Sequence, residues 1–323
     1  MTATDAAAGP SRIEGRDSSI VEEILLQCTD GIKLAGQRWS NQNQLKPPKR
    51  RILCLHGWLD NCRSFFLLAP KLVTSLPDTV VVALDLPGHG VSSHKSADGP
   101  SSVIADYAYY VSESVSQLEW EGTPFTLIGH SMGAAVSLVY AAAFPEHVEK
   151  LILLEGAAPY HKDASDLANH VRLHIQQRLQ GNLMPTKPSL YPNVQSAVET
   201  RRETAKAFPG QQYISEPAAF ELVRRASRDV DGGIQFVHDP RLKWPSLVYY
   251  TQEQSESLYT GIKCECCLLL GHDGMPWGEE RTERIKGLLK PSMFEILPGS
   301  HHFHMDPDSA DKVADFVVKF LAS

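Results

Sequence analysis

The chain has 323 residues, of which 42% are hydrophobic and 21% charged, with a formal net charge of −7. That length can bury a large core, as one domain with an insertion or as two domains. The acidic balance argues against a nucleic-acid binder, and no apolar stretch reaches the roughly 18 residues that mark a membrane span.

Residues 1–20 are rich in Ala, Ser, Thr, Gly and Asp and are read as a disordered tail. The tail has no apolar core of the kind a secretory signal requires, and the C-terminus is no peroxisomal address. With six cysteines and no signal peptide, reduced thiols in the cytoplasm are the expectation. Cys264, Cys266 and Cys267 form the only cysteine cluster, but on a strand they face opposite sides and cannot converge on one ion. They read as buried small hydrophobes. No metal and no cofactor are predicted.

Two strand-like runs, Glu23 to Cys28 and Ile32 to Trp39, flank Thr29-Asp30-Gly31. An Asp-Gly between such runs is a strong hairpin signal. From Arg51 the pattern alternates. Short apolar runs at Ile52 to Leu55, Val80 to Leu84, Phe125 to Ile128, Leu151 to Leu154, Cys266 to Leu270 and Met293 to Leu297 are the candidate strands. Helical patterns lie between them near Phe65 to Thr74, Val103 to Glu119, Met132 to Phe144, Ser246 to Tyr259 and Glu279 to Leu289, and Ser309 to Leu321 follows the last strand. Apolar strands alternating with helices imply an α/β fold with a mostly parallel sheet covered on both faces. Ligands on such sheets bind beyond the carboxyl ends of the strands.

The alternation stops between about Ala157 and Pro245. Helical patterns at Asp166 to Leu179, Val194 to Ala207 and Pro217 to Ser227, with a Gly232-Gly233 turn, replace it. Residues 157–245 are therefore read as a mainly helical cap, or lid, inserted after the sixth strand. The core would then comprise 21–156 and 246–323.

Gly129-His130-Ser131-Met132-Gly133 sits between the strand run Pro124 to Ile128 and the small-residue helix from Ala134. That context makes it a nucleophile elbow, a strained turn that lifts Ser131 clear of the sheet. Gly129 and Gly133 are the small residues such a close approach needs. A serine hydroxyl needs a base to become a good nucleophile. The loop Pro298 to Asp306, after the last strand, offers His301, His302 and His304. The third member orients the imidazole. Asp273, in the turn Gly271-His272-Asp273-Gly274, is favoured for its place between Ser131 and the histidines, with Glu155 at the end of the Leu151 to Leu154 strand as the alternative. For the developing oxyanion, the expected donors are the backbone N–H groups of Met132 and Trp58.

Other tempting patterns fail on spacing. Asp85 to Gly90 lacks both the dinucleotide and the phosphate-loop signatures, so His89 is read as a structural hydrogen-bonder. His170 and His174 lie four apart on a helix without the glutamate of a zinc-protease motif, and read as a cap helix face.

Together these residues resemble the α/β-hydrolase fold superfamily from about Val21 to Leu321, and within it the serine hydrolase-like (kraken-type) branch. Leu55-His56-Gly57-Trp58-Leu59-Asp60-Asn61 is the most specific piece. Asp85 to Gly90 followed by Ser92-Ser93-His94, Gly129-His130-Ser131, Asp239-Pro240-Arg241-Leu242 and Pro298-Gly299-Ser300-His301 support it. The resemblance implies that Ser131 is the nucleophile and selects His301 as the base; Gly271 to Gly274 matches the family's acid loop only loosely. It implies a hydrolase of a small, ester-like substrate acting through an acyl-serine, that is, a carboxylic ester (or thioester or related acyl) hydrolase. The alternatives on the same fold are a non-hydrolytic small-ligand binder, a C–C hydrolase or a cofactor-free perhydrolase.

Overall fold

The computed structural model describes residues 12–14, 19–42, 47–97, 103–183, 189–210 and 212–323. Three antiparallel strands open the chain: β1 (Arg12–Glu14), β2 (Ser19–Gln27) and β3 (Lys33–Asn41). The tight turn between β2 and β3 is the one signalled by Asp30-Gly31. Gly31 sits at φ 89°, and Asp30 Oδ1 accepts the Ile32 N–H at 3.0 Å. The disordered tail expected over 1–20 lies partly outside the described residues; where it falls within them, at 12–14 and 19–20, the chain is strand.

The alternating section follows as β4 (Arg50–Leu55), α1 (Leu68–Ser75), β5 (Thr79–Leu84), α2 (Ile104–Gln117), β6 (Phe125–His130), α3 (Met132–Ala143) and β7 (Val148–Leu154). Next come α4 (Leu167–Leu183), β8 (Leu190–Tyr191), α5 (Val194–Ala205), α6 (Glu216–Arg225), β9 (Ser227–Val230) and β10 (Gly233–Phe236). The chain then closes with α7 (Gln252–Gly261), β11 (Glu265–Asp273), α8 (Glu279–Leu289), β12 (Met293–Ser300) and α9 (Ala310–Ala322).

The main sheet has the order β1-β2-β3-β5-β4-β6-β7-β11-β12. From β5 onwards every neighbouring pair is parallel. Alternate residues of one strand serve opposite faces, as a two-residue period requires. Leu53 and Leu55 join the core formed with α2, α3, α7 and α8, whereas Ile52 and Cys54 join the core formed with α1 and α9. Cys266 and Cys267 divide between the faces in the same way. Both faces are thus dry, which is why these strands read as unbroken apolar runs.

Between β7 and α7 the chain builds a separate layer over the carboxyl ends of the strands. α5, α6 and β10 share an apolar cluster that includes Val198, Leu222, Val223 and Ile234. The layer is less helical than its sequence suggests, because β8, β10 and β9 form a small antiparallel sheet with the Gly232-Gly233 turn between β9 and β10. These strands are short and half-exposed, so they lack the apolar runs that reveal a buried strand. Among the described residues, no helix is long and apolar enough to cross a membrane.

A buried charge pair ties this layer to the sheet. Asp85, fully buried at the end of β5, accepts the Arg225 Nε–H at 2.8 Å and the N–H groups of Cys62 (2.8 Å) and Val91 (3.0 Å). Arg225, at the end of α6, also donates to both carboxylate oxygens of Glu23 at 3.0 Å. Removing one partner of a buried pair costs about 3–5 kcal/mol, because the other charge stays desolvated. Arg225→Met should therefore lower the unfolding free energy by about 3 kcal/mol, read from the denaturant midpoint. An unchanged midpoint would show that the pair does not hold the layer.

Candidate active site

Ser131 occupies the single residue between β6 and α3, with φ 53° and ψ −115°. This conformation is strained for a residue with a Cβ, by about 1–3 kcal/mol, and persists only where the surroundings over-determine it. Here β6 and α3 do so, and the Ser131 N–H donates to the Leu154 carbonyl at 3.0 Å. A Cβ at Gly133 would strike the Leu55 carbonyl, and one at Gly129 would strike the Gly133 backbone. The two glycines let strand, turn and helix approach this closely, so the tight turn read from the sequence is present.

Glu155 follows β7 in the same way, at φ 49° and fully buried. Its Oε2 accepts the His301 Nδ1–H at 3.0 Å and the Met275 N–H at 3.0 Å, and its Oε1 accepts the Gly271 N–H at 2.7 Å. The preference for Asp273 as the residue facing the histidine is corrected here. Asp273 Oδ1 bonds its neighbour His272 Nδ1 at 2.9 Å, on the half-exposed side of the turn. The turn Gly271-His272-Asp273-Gly274 does converge on the site, but with its backbone: the N–H groups of Gly271 and of Met275, just past the turn, cradle the Glu155 carboxylate. No room remains for a side chain there, since a Cβ at Gly274 would overlap that carboxylate.

His301 is held at ring and backbone together. Its N–H donates to Gln212 Oε1 at 3.0 Å, and its carbonyl accepts the His130 Nε2–H at 2.8 Å. With the Nδ1 proton committed to Glu155, Nε2 is left as the acceptor. The two competing histidines have other partners. His302 Nε2 lies 3.3 Å from Asp60 Oδ2, and His304 Nε2 bonds Ser64 Oγ at 2.9 Å.

His130, His302 and His304 are packed together with Asp60 in the dry interior beneath His301. Burial and the neighbouring imidazoles push the His130 pKa far down, and burial takes His304 to about 3. Burial also lowers His302, against the pull of Asp60. All three are neutral at pH 7. Burial disfavours the Asp60 carboxylate, but His302 and the Arg201 guanidinium outweigh it and hold the group well below the usual carboxylate range. Arg201, from α5, is the permanent counter-charge, with Nη2 2.9 Å from Asp60 Oδ1. The sequence reading missed this network. Asp60 stood within the most specific motif, but nothing in the pattern marked Arg201 as its partner.

Trp58 and Met132 flank the turn, and both border the same cavity as Ser131, Glu155 and His301, a space of about 770 Å³. Met132 opens α3, so its N–H belongs to the first turn that lacks an intrahelical acceptor. The Trp58 indole donates from Nε1 to the Leu242 carbonyl of the cap layer at 2.8 Å. Beyond these groups the cavity wall is mostly apolar, with Ile104, Leu247, Val248 and Trp277. Four further histidines have structural partners. His56 Nε2 accepts the Leu86 N–H at 3.0 Å, His89 Nδ1 donates to Pro87 at 3.1 Å, and His174 Nδ1 donates to Pro245 at 2.9 Å. His170 rests on the Tyr249 ring. Among the described residues, no group of three His, Cys, Asp or Glu could hold a metal ion.

The alpha/beta hydrolase family profile matches residues 52–316. This chain belongs to the alpha/beta hydrolase family. It is 31% identical over 297 residues to the "Serine hydrolase-like protein" of Danio rerio, covering 90% of this chain and 85% of the relative. It is 30% identical over 320 residues to a "Probable serine hydrolase" of Drosophila melanogaster, covering 97% and 90%. These relatives place it in the serine hydrolase-like branch. Among solved structures, a hypothetical protein from Pseudomonas aeruginosa PAO1 superposes with a TM-score of 0.81 at 32% identity, over 98% of this chain and all of that one, 100%. A thioesterase domain from the curacin biosynthetic pathway shares the fold with a TM-score of 0.74 at 22% identity, over 92% of this chain and 99% of that one.

The neutral histidines set an acid limit on stability. His56, His89, His130, His302 and His304 all have folded-state pKa values below the ordinary 6.5, burial being the main cause. The unfolded chain takes up their protons near pH 6.5, whereas the folded chain does so only at lower pH, about 3 for His89 and His304. Their contribution is complete above 6.5 and is lost as pH falls. Each group adds about 1.4 kcal/mol per pH unit to the slope. Denaturant titrations between neutral pH and pH 4.5 should show a steep loss of stability on acidification. In His304→Gln the slope should fall by about one proton; an unaltered slope would contradict a neutral, buried His304.

Proposed function

We propose that this protein is a serine hydrolase that cleaves a carboxylic ester, or a related acyl bond such as a thioester, of a small and largely apolar substrate. The observation that carries this reading is the Glu155–His301 pair, set beside the strained turn of Ser131 at the floor of one mostly apolar cavity. In this reading His301 Nε2 removes the Ser131 hydroxyl proton as Oγ attacks the substrate carbonyl carbon. The oxyanion is received by the Trp58 and Met132 N–H groups. His301 then gives the proton to the departing alcohol. A water enters, loses a proton to His301 and attacks the acyl-serine; as that intermediate collapses, His301 returns the proton to Oγ and the acid is released. Glu155 keeps the Nδ1 proton in place and stabilises the imidazolium that forms twice per cycle. No step calls for a cofactor. The mainly apolar wall suits the acyl or alcohol chain, and residues 157–245 serve as the cap that shapes it. All six cysteines are free thiols, which fits the reducing cytoplasm.

Two measurements bear on the roles. Ser131→Ala should abolish labelling by a fluorophosphonate probe and lower kcat on p-nitrophenyl esters by roughly 10⁵–10⁶; wild-type turnover in that variant would remove Ser131 from the mechanism. Glu155→Gln should lower kcat by about 10⁴, whereas Asp273→Asn should stay near wild type. The reverse ranking would return the acid's role to Asp273.

A further inference from the structure

His301 stands one residue beyond β12, where the ladder with β11 has ended: its last pair is Asp273 with Ser300. The His301 main chain therefore needs partners from outside the sheet. Its carbonyl finds one in the imidazole of His130, the residue immediately before Ser131. Its N–H finds one in Gln212, in the connection between α5 and α6. Glu155 holds the ring. The residue is thus gripped at three points, two of them at the ends of the buried strands β6 and β7. Only Gln212 comes from the layer between β7 and α7.

Gln212 is buried, and both ends of its amide are engaged. Oε1 accepts the His301 N–H at 3.0 Å, while Nε2 donates to the Pro209 carbonyl at 2.9 Å. A donor on one side and a carbonyl on the other fix which end of the amide faces His301. The stretch around it is fastened along the same loop. Ser300 Oγ donates to the Tyr213 carbonyl at 2.7 Å, and the Ser215 N–H donates to Asp306 Oδ1 at 2.9 Å. Gly210 lies so close to the Gly274 carbonyl, in the turn beside the Glu155 carboxylate, that a Cβ there would strike it. Phe208 and Gln212 also border the catalytic cavity.

We infer that Gln212 is a positioning residue for the proposed general base: it fixes the His301 main chain and, through it, the approach of Nε2 to Ser131 Oγ. The inference rests on the serine-hydrolase reading and extends it, because it gives the layer that borders the substrate a part in the chemical step. Without the Gln212 oxygen the His301 N–H loses its partner, and the loop beyond β12 loses its hold at the residue that matters most. Displacing a catalytic group by about 1 Å can cost roughly 10²-fold in rate.

Two substitutions test this. Gln212→Met removes the acceptor at similar volume, and Gln212→Asn keeps the amide but withdraws it by one methylene. If the Met variant does not fold, the milder Asn variant carries both measurements. The first uses p-nitrophenyl acetate, whose short acyl group makes little use of the cavity wall. Both variants should lose about 10- to 100-fold in kcat, with kcat/KM falling equally and KM unchanged. A raised KM with unchanged kcat would make Gln212 a piece of cavity wall and overturn the inference. The second measurement, proton NMR, reads the geometry with no substrate present. Wild type should show a low-field resonance from the His301 Nδ1 proton, identified by its loss in Glu155→Gln. In the Gln212 variants it should broaden or move upfield. An unchanged resonance would overturn the inference even if esters are turned over. A resonance that responds in a protein that hydrolyses no ester upholds the positioning of His301, and only the hydrolase reading falls.

Discussion

The hydrogen bond from the Ser131 N–H to the Leu154 carbonyl joins the ends of two parallel strands at the point where both stop being strand. Residues directly beyond that bond, Ser131 after β6 and Glu155 after β7, both adopt positive φ. The bend turns each side chain out of the sheet. A parallel sheet puts all its carboxyl ends on one side, so such bends on neighbouring strands deliver their side chains to one place. His301, just past the end of β12, completes the set from the far side of β11. The rigidity comes from below: apolar residues on both faces of the sheet leave the strand ends nowhere to move.

Electrostatics beneath the site follow from the same dryness. Three histidines, His130, His302 and His304, crowd around Asp60, and charging them in an apolar interior is prohibitively unfavourable. Asp60 keeps its charge because Arg201 arrives from the cap layer to meet it. The layer between β7 and α7 therefore also reaches the loop after β4. Asp60, the indole of Trp58 and the amide of Asn61, which donates to the Leu222 carbonyl at 2.9 Å, all tie the loop after β4 to cap residues. In the proposed mechanism that loop carries an oxyanion donor, so the layer that shapes the substrate space also braces the catalytic backbone.

Much of this was legible in one dimension. Strands covered on both faces must be apolar at every position, so their runs stood out, and the helices between them carried one-sided patterns. The turn at Ser131 was legible because close backbone approach demands glycine on either side of the serine. The small sheet of β8, β9 and β10 was not, since half-exposed strands leave no apolar run to read. Chain order favoured Asp273 over Glu155, although both end strands on the same side of the sheet. What separated them was the path of the turn at 271–275, whose backbone N–H groups, rather than its aspartate, face inward.

The sequence by itself determined the sheet, its covering helices and the turn that exposes Ser131, because each of these is written in local spacing and local size. Only the tertiary structure decided which carboxylate meets His301, that Arg201 neutralises Asp60, and that Gln212 takes the His301 N–H. Those are contacts between residues dozens to well over a hundred positions apart. Their partners are chosen by where backbones cross and which atoms are cut off from water, and neither is a property of any segment read alone.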